Sequence, residues 1–454
     1  MVGEFMKFVP NATIKDTILR EIGQKHIDEL FVDIPEKLKV KKLDLSEGLS
    51  QQEVDRRLRC IAQKNLSCHE LLNFLGGGVK PHYLPPAVKA ITSRAELYTA
   101  YTPYQSEASQ GFLQAMFEYQ SMIAELTGMD IANASLYDGA TAVGEAALMS
   151  ARVTRKKTFI VARNVSWEKR SILKNYTKGA GMEIREAPYD KKTGTIDIKH
   201  LKELIDSTTA GIYCENPNFF GVFEEQVHIL SECAHDAEAL FVVGADPLSL
   251  GVIKSPGEYG ADIVIGEGRS LGNPMDFGGS TLGIFACKQD FLRQMPGRVI
   301  GMTKDIDGNR GFCMTLQTRE QHIRRGRATS NICTNEGLCA LAAVAYLSWL
   351  GGQGLEAIGR QNIERGQTLL NALTSIDGFT QQFSGTHFNE CVVQCSSDGK
   401  EINKNLLQHG VHGGLPLNRW YPELKNCLLF GISEIYSNED IDKLQHALRE
   451  VAHV

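Results

Sequence analysis

Positive charge is scarce in this chain of 454 residues: 48 lysines and arginines face 54 aspartates and glutamates, a formal net charge of −6. That balance excludes nucleic-acid partners, because no positive field is available to neutralise phosphates. Long apolar runs are also missing. No stretch approaches the length expected of a transmembrane helix, so no membrane partner is expected. The opening MVGEFMKFVPNATIKDTILREIG is broken by charges and lacks the apolar run of a secretory signal. The 11 cysteines are odd in number and scattered, which excludes a disulfide framework and fits reduced thiols in a cytoplasmic protein. Cys391 and Cys395 fall on one face of the apparent strand HFNECVVQC. With no second pair or histidine cluster beside them, they read as buried structural thiols, not metal ligands. Cys333 and Cys339 read the same way. There is no internal repeat and no low-complexity tract. What remains is 43% hydrophobic, 22% charged and 8% aromatic, the profile of a globular protein with a real core.

The first 65 residues read as a helical segment. Ser50 and Glu53 form an S-x-x-E capping box before a helix with Val54, Leu58, Ile61 and Ala62 on one face. FLGGGVKPHYLPPAVKAI (Phe74–Ile91) follows; three glycines and then three prolines cannot be a regular element and make it an ordered loop whose backbone must pass close to something. From residue 136 to 286, short apolar runs alternate with helical ones. Thr158–Ala162, Ala210–Cys214, Leu240–Val243, Asp262–Ile265 and Thr281–Ala286 read as buried strands, which indicates an α/β domain with a mainly parallel sheet. Met302 to Arg327 reads as a connector over the surface. Beyond it come a small-residue helix to Leu350, the break GGQG, a further helix, strands at His387–Cys395 and Cys427–Ile432, and a closing helix capped by Ser437 and Asp440. The expected division is therefore 1–65, a large α/β domain with connector over 66–327, and a smaller α+β domain over 328–454.

Two segments are more specific. YTAYTPYQSEASQG (Tyr98–Gly111) precedes an amphipathic helix whose face carries Phe112, Met116, Tyr119, Met122, Ile123 and Leu126, with Gly128 as its stop. SLYDGATAVGEAALM (Ser135–Met149) follows. Together with ATSNICTNEGL (Ala328–Leu338) and the ending RWYPELKNCLLFGISEIYSNEDIDKL, these resemble the glycine decarboxylases, the P-proteins of the glycine cleavage system. The resemblance is closer to the alpha subunit (subunit 1) of two-chain forms, and it covers essentially the whole chain.

That resemblance implies the fold-type I, pyridoxal-phosphate (PLP)-dependent transferase-like architecture. Such a site needs a phosphate cup at a helix N-terminus, a Schiff-base lysine, a carboxylate for the pyridinium nitrogen and a stacking ring. Asp138-Gly139-Ala140-Thr141 has the turn chemistry for the cup, although small residues there also serve tight helix–sheet packing. At the lysine place stands Ser270, within a lysine-free stretch from Gly260 to Gly283. At the carboxylate place stands Val243, and the nearest acid, Asp246, is expected to face elsewhere. Ser166-Trp167 occupies the stacking position. A degenerate site (Ser270, Val243, Gly139, Thr141) with no covalent PLP is the expectation, PLP being implied on the partner subunit.

What survives is material for an interface. Tyr98, Tyr101 and Tyr104 with Thr102, Gln105 and Glu107 offer rigid rings with polar tips, suited to lining a pocket or anchoring a partner. HIRRGRATSNICTNEG groups Arg324, Arg325 and Arg327 before Ser330 and Asn331. A solvated charge run followed by a helix cap remains the alternative reading there. His82, in the glycine-rich loop, reads as a satisfied histidine. The resemblance implies glycine as substrate, the catalytic beta subunit (subunit 2) and lipoyl H-protein as partners, and a heterotetramer, with this chain completing the active site of glycine dehydrogenase (decarboxylating). Two other readings stay open: an autonomous PLP lyase or aminotransferase with an unconventional site, and a non-catalytic structural or regulatory pseudoenzyme.

Overall fold

The computed structural model describes residues 14–40, 44–68, 70–98 and 104–451. Tyr101 and Thr102 lie outside them. The chain divides into two units, Met1–Leu66 and Ser67–Val454. The first contains the helices Lys15–Glu21 and Gln51–Ala62. The second of these carries the expected reciprocal cap: the Ser50 N–H donates to the Glu53 carboxylate at 2.9 Å and the Glu53 N–H to Ser50 Oγ at 3.3 Å. Its apolar face forms but stays exposed at Val54, Leu58 and Ile61.

The second unit starts with β1 (Leu72–Asn73) and then builds the large sheet from β2 (Ile131–Ala132), β3 (Thr158–Ala162), β4 (Glu183–Ala187), β5 (Thr209–Asn216), β6 (Leu240–Ala245), β7 (Ile263–Glu267) and β8 (Gly283–Cys287). The order is β2-β8-β7-β6-β5-β3-β4; β3 to β7 are parallel, and β8 runs against both its neighbours. β3, β5 and β8 are buried along their whole lengths, which is why they read as unbroken apolar runs. β4, at the sheet edge, carries three charged residues among its five, and sequence reading missed it. The helix Gln110–Thr127 buries Phe112, Met116, Tyr119 and Ile123 and ends at Gly128, whose φ of +67° supplies the left-handed stop.

The expected connector is more regular than its composition suggests. β9 (Val299–Lys304) and β10 (Arg310–Thr315) form an antiparallel hairpin. Its turn is pinned by the Asp305 carboxylate, which accepts from the Asn309 N–H at 2.8 Å. After it, the helix Gly337–Thr374 breaks at Gly351 (φ +61°), giving the two helical pieces expected around GGQG. By length and composition alone this helix is apolar enough to cross a membrane, contrary to the expectation that no such run exists. Its residues Ala340–Tyr346 instead enter the core.

The C-terminal sheet takes β11 (Phe379–Gln381), β12 (Glu390–Cys395), β14 (Leu415–Pro416) and β15 (Cys427–Gly431) in the antiparallel order β11-β12-β15-β14. Cys391 and Cys395 both face its core. The Ser437–Asp440 cap forms, and the closing helix Asn438–Val451 buries Ile441, Leu444 and Leu448. The structure moves one early segment to this end of the chain: β1 pairs in parallel with β13 (Val411–His412), Leu75 bridges Phe430, and Phe74 is buried in the same core. Residues 72–76, grouped by sequence with the large domain, thus pack with the C-terminal sheet. Their glycines follow from that closeness. A Cβ on Gly76 would meet Leu429 Cγ at 2.6 Å, and Gly77 and Gly78 have φ of +108° and +90°.

Candidate functional site

The carboxyl ends of β5, β6 and β7 meet the N-termini of the helices Gly139–Thr154 and Trp167–Lys178 around a cavity of about 740 Å³. Strand ends of a parallel sheet are where this class of fold places its ligands. Ser270 and Gly139 line the cavity, as the resemblance implies. Asp246 also lines it, contrary to the expectation that it faces elsewhere. Val243 does not: it is fully buried within β6, between Cys214 and Val264 of the neighbouring strands. Thr141 serves the helix end, its N–H donating to the Asp138 carboxylate at 2.7 Å.

Several charged groups in this cavity escaped sequence reading. Lys169, three residues after the N-cap Ser166, donates to Glu215 Oε1, which also accepts from the Tyr213 hydroxyl at 2.9 Å. Withdrawal from water works against the Lys169 charge. The charge and hydrogen bond of Glu215 outweigh it, with Glu267 and Asp246 adding, and the ammonium is held above the ordinary lysine pKa. On the opposite wall, Lys80 and Glu390 form a buried ion pair at 2.9 Å. The same Glu390 oxygen accepts from the Gly77 and Gly78 N–H groups at 2.9 and 2.8 Å, which pins the glycine loop. His82 is satisfied, as expected, by Glu434 at 2.9 Å.

The residues present do not fit PLP. Ser270 offers no amine, and Lys169, the lysine beside Glu215, is held protonated, whereas a Schiff base forms from the neutral amine. The would-be phosphate cup is already filled from within. The Gly139 N–H donates to Glu267 Oε2 at 3.0 Å, and the Thr141 N–H is taken by Asp138. Carboxylates outnumber lysines and arginines on the lining by seven to three, a balance that opposes a phosphate dianion.

The residues expected at an interface lie elsewhere. Tyr98, Tyr104, Gln105, Glu107, Arg327 and Asn331 are exposed and Ser330 is half-buried. Arg298, which the sequence did not single out, joins the two segments. Its guanidinium donates to the Tyr104 hydroxyl, to the Cys333 carbonyl at 3.0 Å, and to Thr334 Oγ1 and Asn335 Oδ1 at 3.2 Å each. Its Cζ also sits 4.8 Å from the centre of the Tyr104 ring. A second hollow of about 680 Å³ borders Ser330 and Asn331 and is lined by Glu145, Arg152, Tyr137 and Tyr176. Burial raises the Glu145 pKa there against its hydrogen bond to Ser330.

Comparison with known proteins places this geometry. Residues 6–448 match the model of the glycine cleavage system P-protein. A protein of Thermococcus onnurineus named probable glycine dehydrogenase (decarboxylating) subunit 1 is 49% identical over 98% of this chain and 99% of its own length. A crystal structure of glycine decarboxylase (P-protein) of the glycine cleavage system, in inhibitor-bound form, superposes with a TM-score of 0.91 at 41% identity, over 98% of this chain and 100% of that one. Glutamate decarboxylase of Lactobacillus brevis shares the fold alone, with a TM-score of 0.66 at 13% identity over 92% of this chain and 97% of that one. The chain belongs to the glycine cleavage system P-protein family.

Proposed function

We propose that this chain is subunit 1 of a two-chain glycine dehydrogenase (decarboxylating), working in the cytoplasm. In this reading a second subunit holds PLP, which serves as electron sink when glycine loses carbon dioxide, and the aminomethyl group passes to lipoyl H-protein. The two chains form a heterotetramer. This chain supplies wall: tyrosine and arginine side chains orient the substrate carboxylate and exclude water from the partner's site.

The observation that carries the reading is the Arg298 clamp. It holds Tyr104 against Cys333–Asn335, so the two family-specific segments form one exposed, stiffened edge. Such an edge loses little freedom when another surface covers it. Lys169 is the observation that favours an autonomous lyase, since it brings an amine to the cavity; its pairing with Glu215 argues against that role.

The test is reconstitution. Chain and second subunit are mixed with PLP and H-protein, glycine–bicarbonate exchange is followed, and the bound cofactor is fixed with borohydride and mapped. Exchange only in the mixture, with the fixed lysine on the second subunit, is the expected result. Exchange by this chain alone, or fixation at Lys169, would overturn the proposal.

A further inference from the structure

We infer that the Glu267 carboxylate is a built-in anion that occupies this chain's own phosphate cup and bars phosphorylated ligands from the cavity. The N-terminus of a helix attracts anions because its first N–H groups are unpaired and its dipole is positive there. In the helix Gly139–Thr154 two of those donors, the Gly139 and Thr141 N–H groups, are already engaged by carboxylates of the chain. Gly139 donates to Glu267 Oε2 at 3.0 Å, Thr141 to Asp138 Oδ1 at 2.7 Å, and Ala142 to the Asp138 carbonyl at 3.1 Å.

Glu267 is fixed for this task. It stands at the end of β7, and its second oxygen accepts from the Leu282 N–H at 2.9 Å and the Arg269 N–H at 3.1 Å. The carboxylate therefore bridges three backbone donors from three separate stretches of chain. The approach is close as well as polar: a Cβ on Gly139 would meet the Glu267 backbone nitrogen at 3.1 Å. Gly139 accordingly serves contact with Glu267, and the small residues of the cup are there for packing. The place that phosphate would take is filled by the protein itself, while the space beyond it stays open.

The consequence is selectivity. A fold built to take a phosphorylated cofactor keeps the cavity and rejects the phosphate, so the chain does not draw cofactor away from a partner that needs it. The closure holds whether or not a second subunit supplies PLP.

The test uses the full chain and ligands that differ only in phosphate. Inorganic phosphate, PLP and pyridoxal are titrated calorimetrically into wild type, Glu267→Ala and Glu267→Gln, with hydrogen exchange followed on the peptide carrying Gly139. Wild type is expected to bind PLP no better than pyridoxal. Glu267→Ala should bind phosphate and PLP about tenfold more tightly than wild type, leave pyridoxal unchanged, and gain amide protection at Gly139 on adding phosphate. Glu267→Gln, with its charge gone but its shape kept, should gain less. A folded Glu267→Ala protein with no gain would overturn the inference. So would wild type preferring PLP over pyridoxal by a similar factor, a measurement that needs no variant to fold.

Discussion

At the strand ends, Glu267, Lys169 and Glu390 each find counter-groups inside the chain; at the edge, Tyr98, Gln105, Glu107, Arg327 and Asn331 stay exposed. The two regions started from similar material, small residues and turns beside charged and aromatic side chains. They differ in where the hydrogen-bond partners come from. A cavity whose charges are paired internally keeps its shape and loses its appetite for a ligand, because any ligand must first break those pairs. Under the proposed function, an edge stiffened from behind by one arginine offers its exposed side chains to another molecule.

The sharpest way to break this contrast is to unpair the cavity. Glu390→Ala strands the buried Lys80 ammonium and leaves the Gly77 and Gly78 N–H groups without their acceptor. A loss of about 3–5 kcal/mol in denaturant unfolding is expected, the range seen when one partner of a buried pair is removed. A loss below about 1 kcal/mol would mean that solvent reaches the pair and the wall is not self-sufficient.

Acid should act on the same wall next. Burial alone would raise the Glu434 pKa, but the hydrogen bond and charge of His82, with the Tyr83 N–H at 2.9 Å, bring it down to about 2. A carboxylate depressed on folding contributes stability above its unfolded pKa near ~4.3, and that contribution disappears as pH falls through the folded value. Roughly 2–3 kcal/mol is therefore expected to be lost between pH 5 and 2 from this group. His82→Ala should be less stable at neutral pH and show a shallower acid slope. Equal slopes in the two proteins would remove His82 from the account.

A smaller effect tests Lys169. Replacing Glu215 by Gln removes the main group holding that ammonium charged, so its pKa falls and its neutral fraction rises, about tenfold for each unit. Faster acylation of Lys169, mapped by mass spectrometry below pH 9, is the expected outcome. Unchanged labelling would show that the pair is not what keeps the amine inert.

The sheet was legible because its inner strands are covered on both faces, which leaves an apolar run in the sequence wherever β3, β5, β6, β7 or β8 occurs. Helix ends were legible too, since Ser50, Gly128 and Ser437 act on residues within one turn of themselves. The site was legible only where a short motif holds both partners. Gly139 was visible, but its partner Glu267 is 128 positions away. Separation along the chain also hid the Lys80–Glu390 pair, 310 positions apart, and it hid Arg298, which looks like any other arginine until Tyr104 and Cys333 close around it. Asp246 was misjudged because its direction depends on how the chain turns after β6 ends at Ala245, and residue spacing does not record that.

The finest test falls on the edge, where the reading depends on separating a ring from its hydroxyl. Tyr104→Phe deletes the group that accepts from Arg298 but keeps the ring beneath the guanidinium, 4.8 Å from Cζ to centroid. Arg298 still donates to Cys333, Thr334 and Asn335, so it is not left unpaired, and Tyr104 is about half exposed, at 48%. Folding stability should then fall by no more than about 1 kcal/mol. Tyr104→Ala also removes the ring that stacks on Arg298 and packs edge-on against His322, and it lets the stiff edge relax. Under the proposed function, the phenylalanine variant should still assemble with the second subunit and exchange glycine carbon more slowly, whereas the alanine variant should assemble poorly. Sizing chromatography and exchange rates on the same preparations separate the two. If both variants assemble and turn over like wild type, the exposed tyrosine is surface only, and the contrast between a closed cavity and a working edge loses its second half.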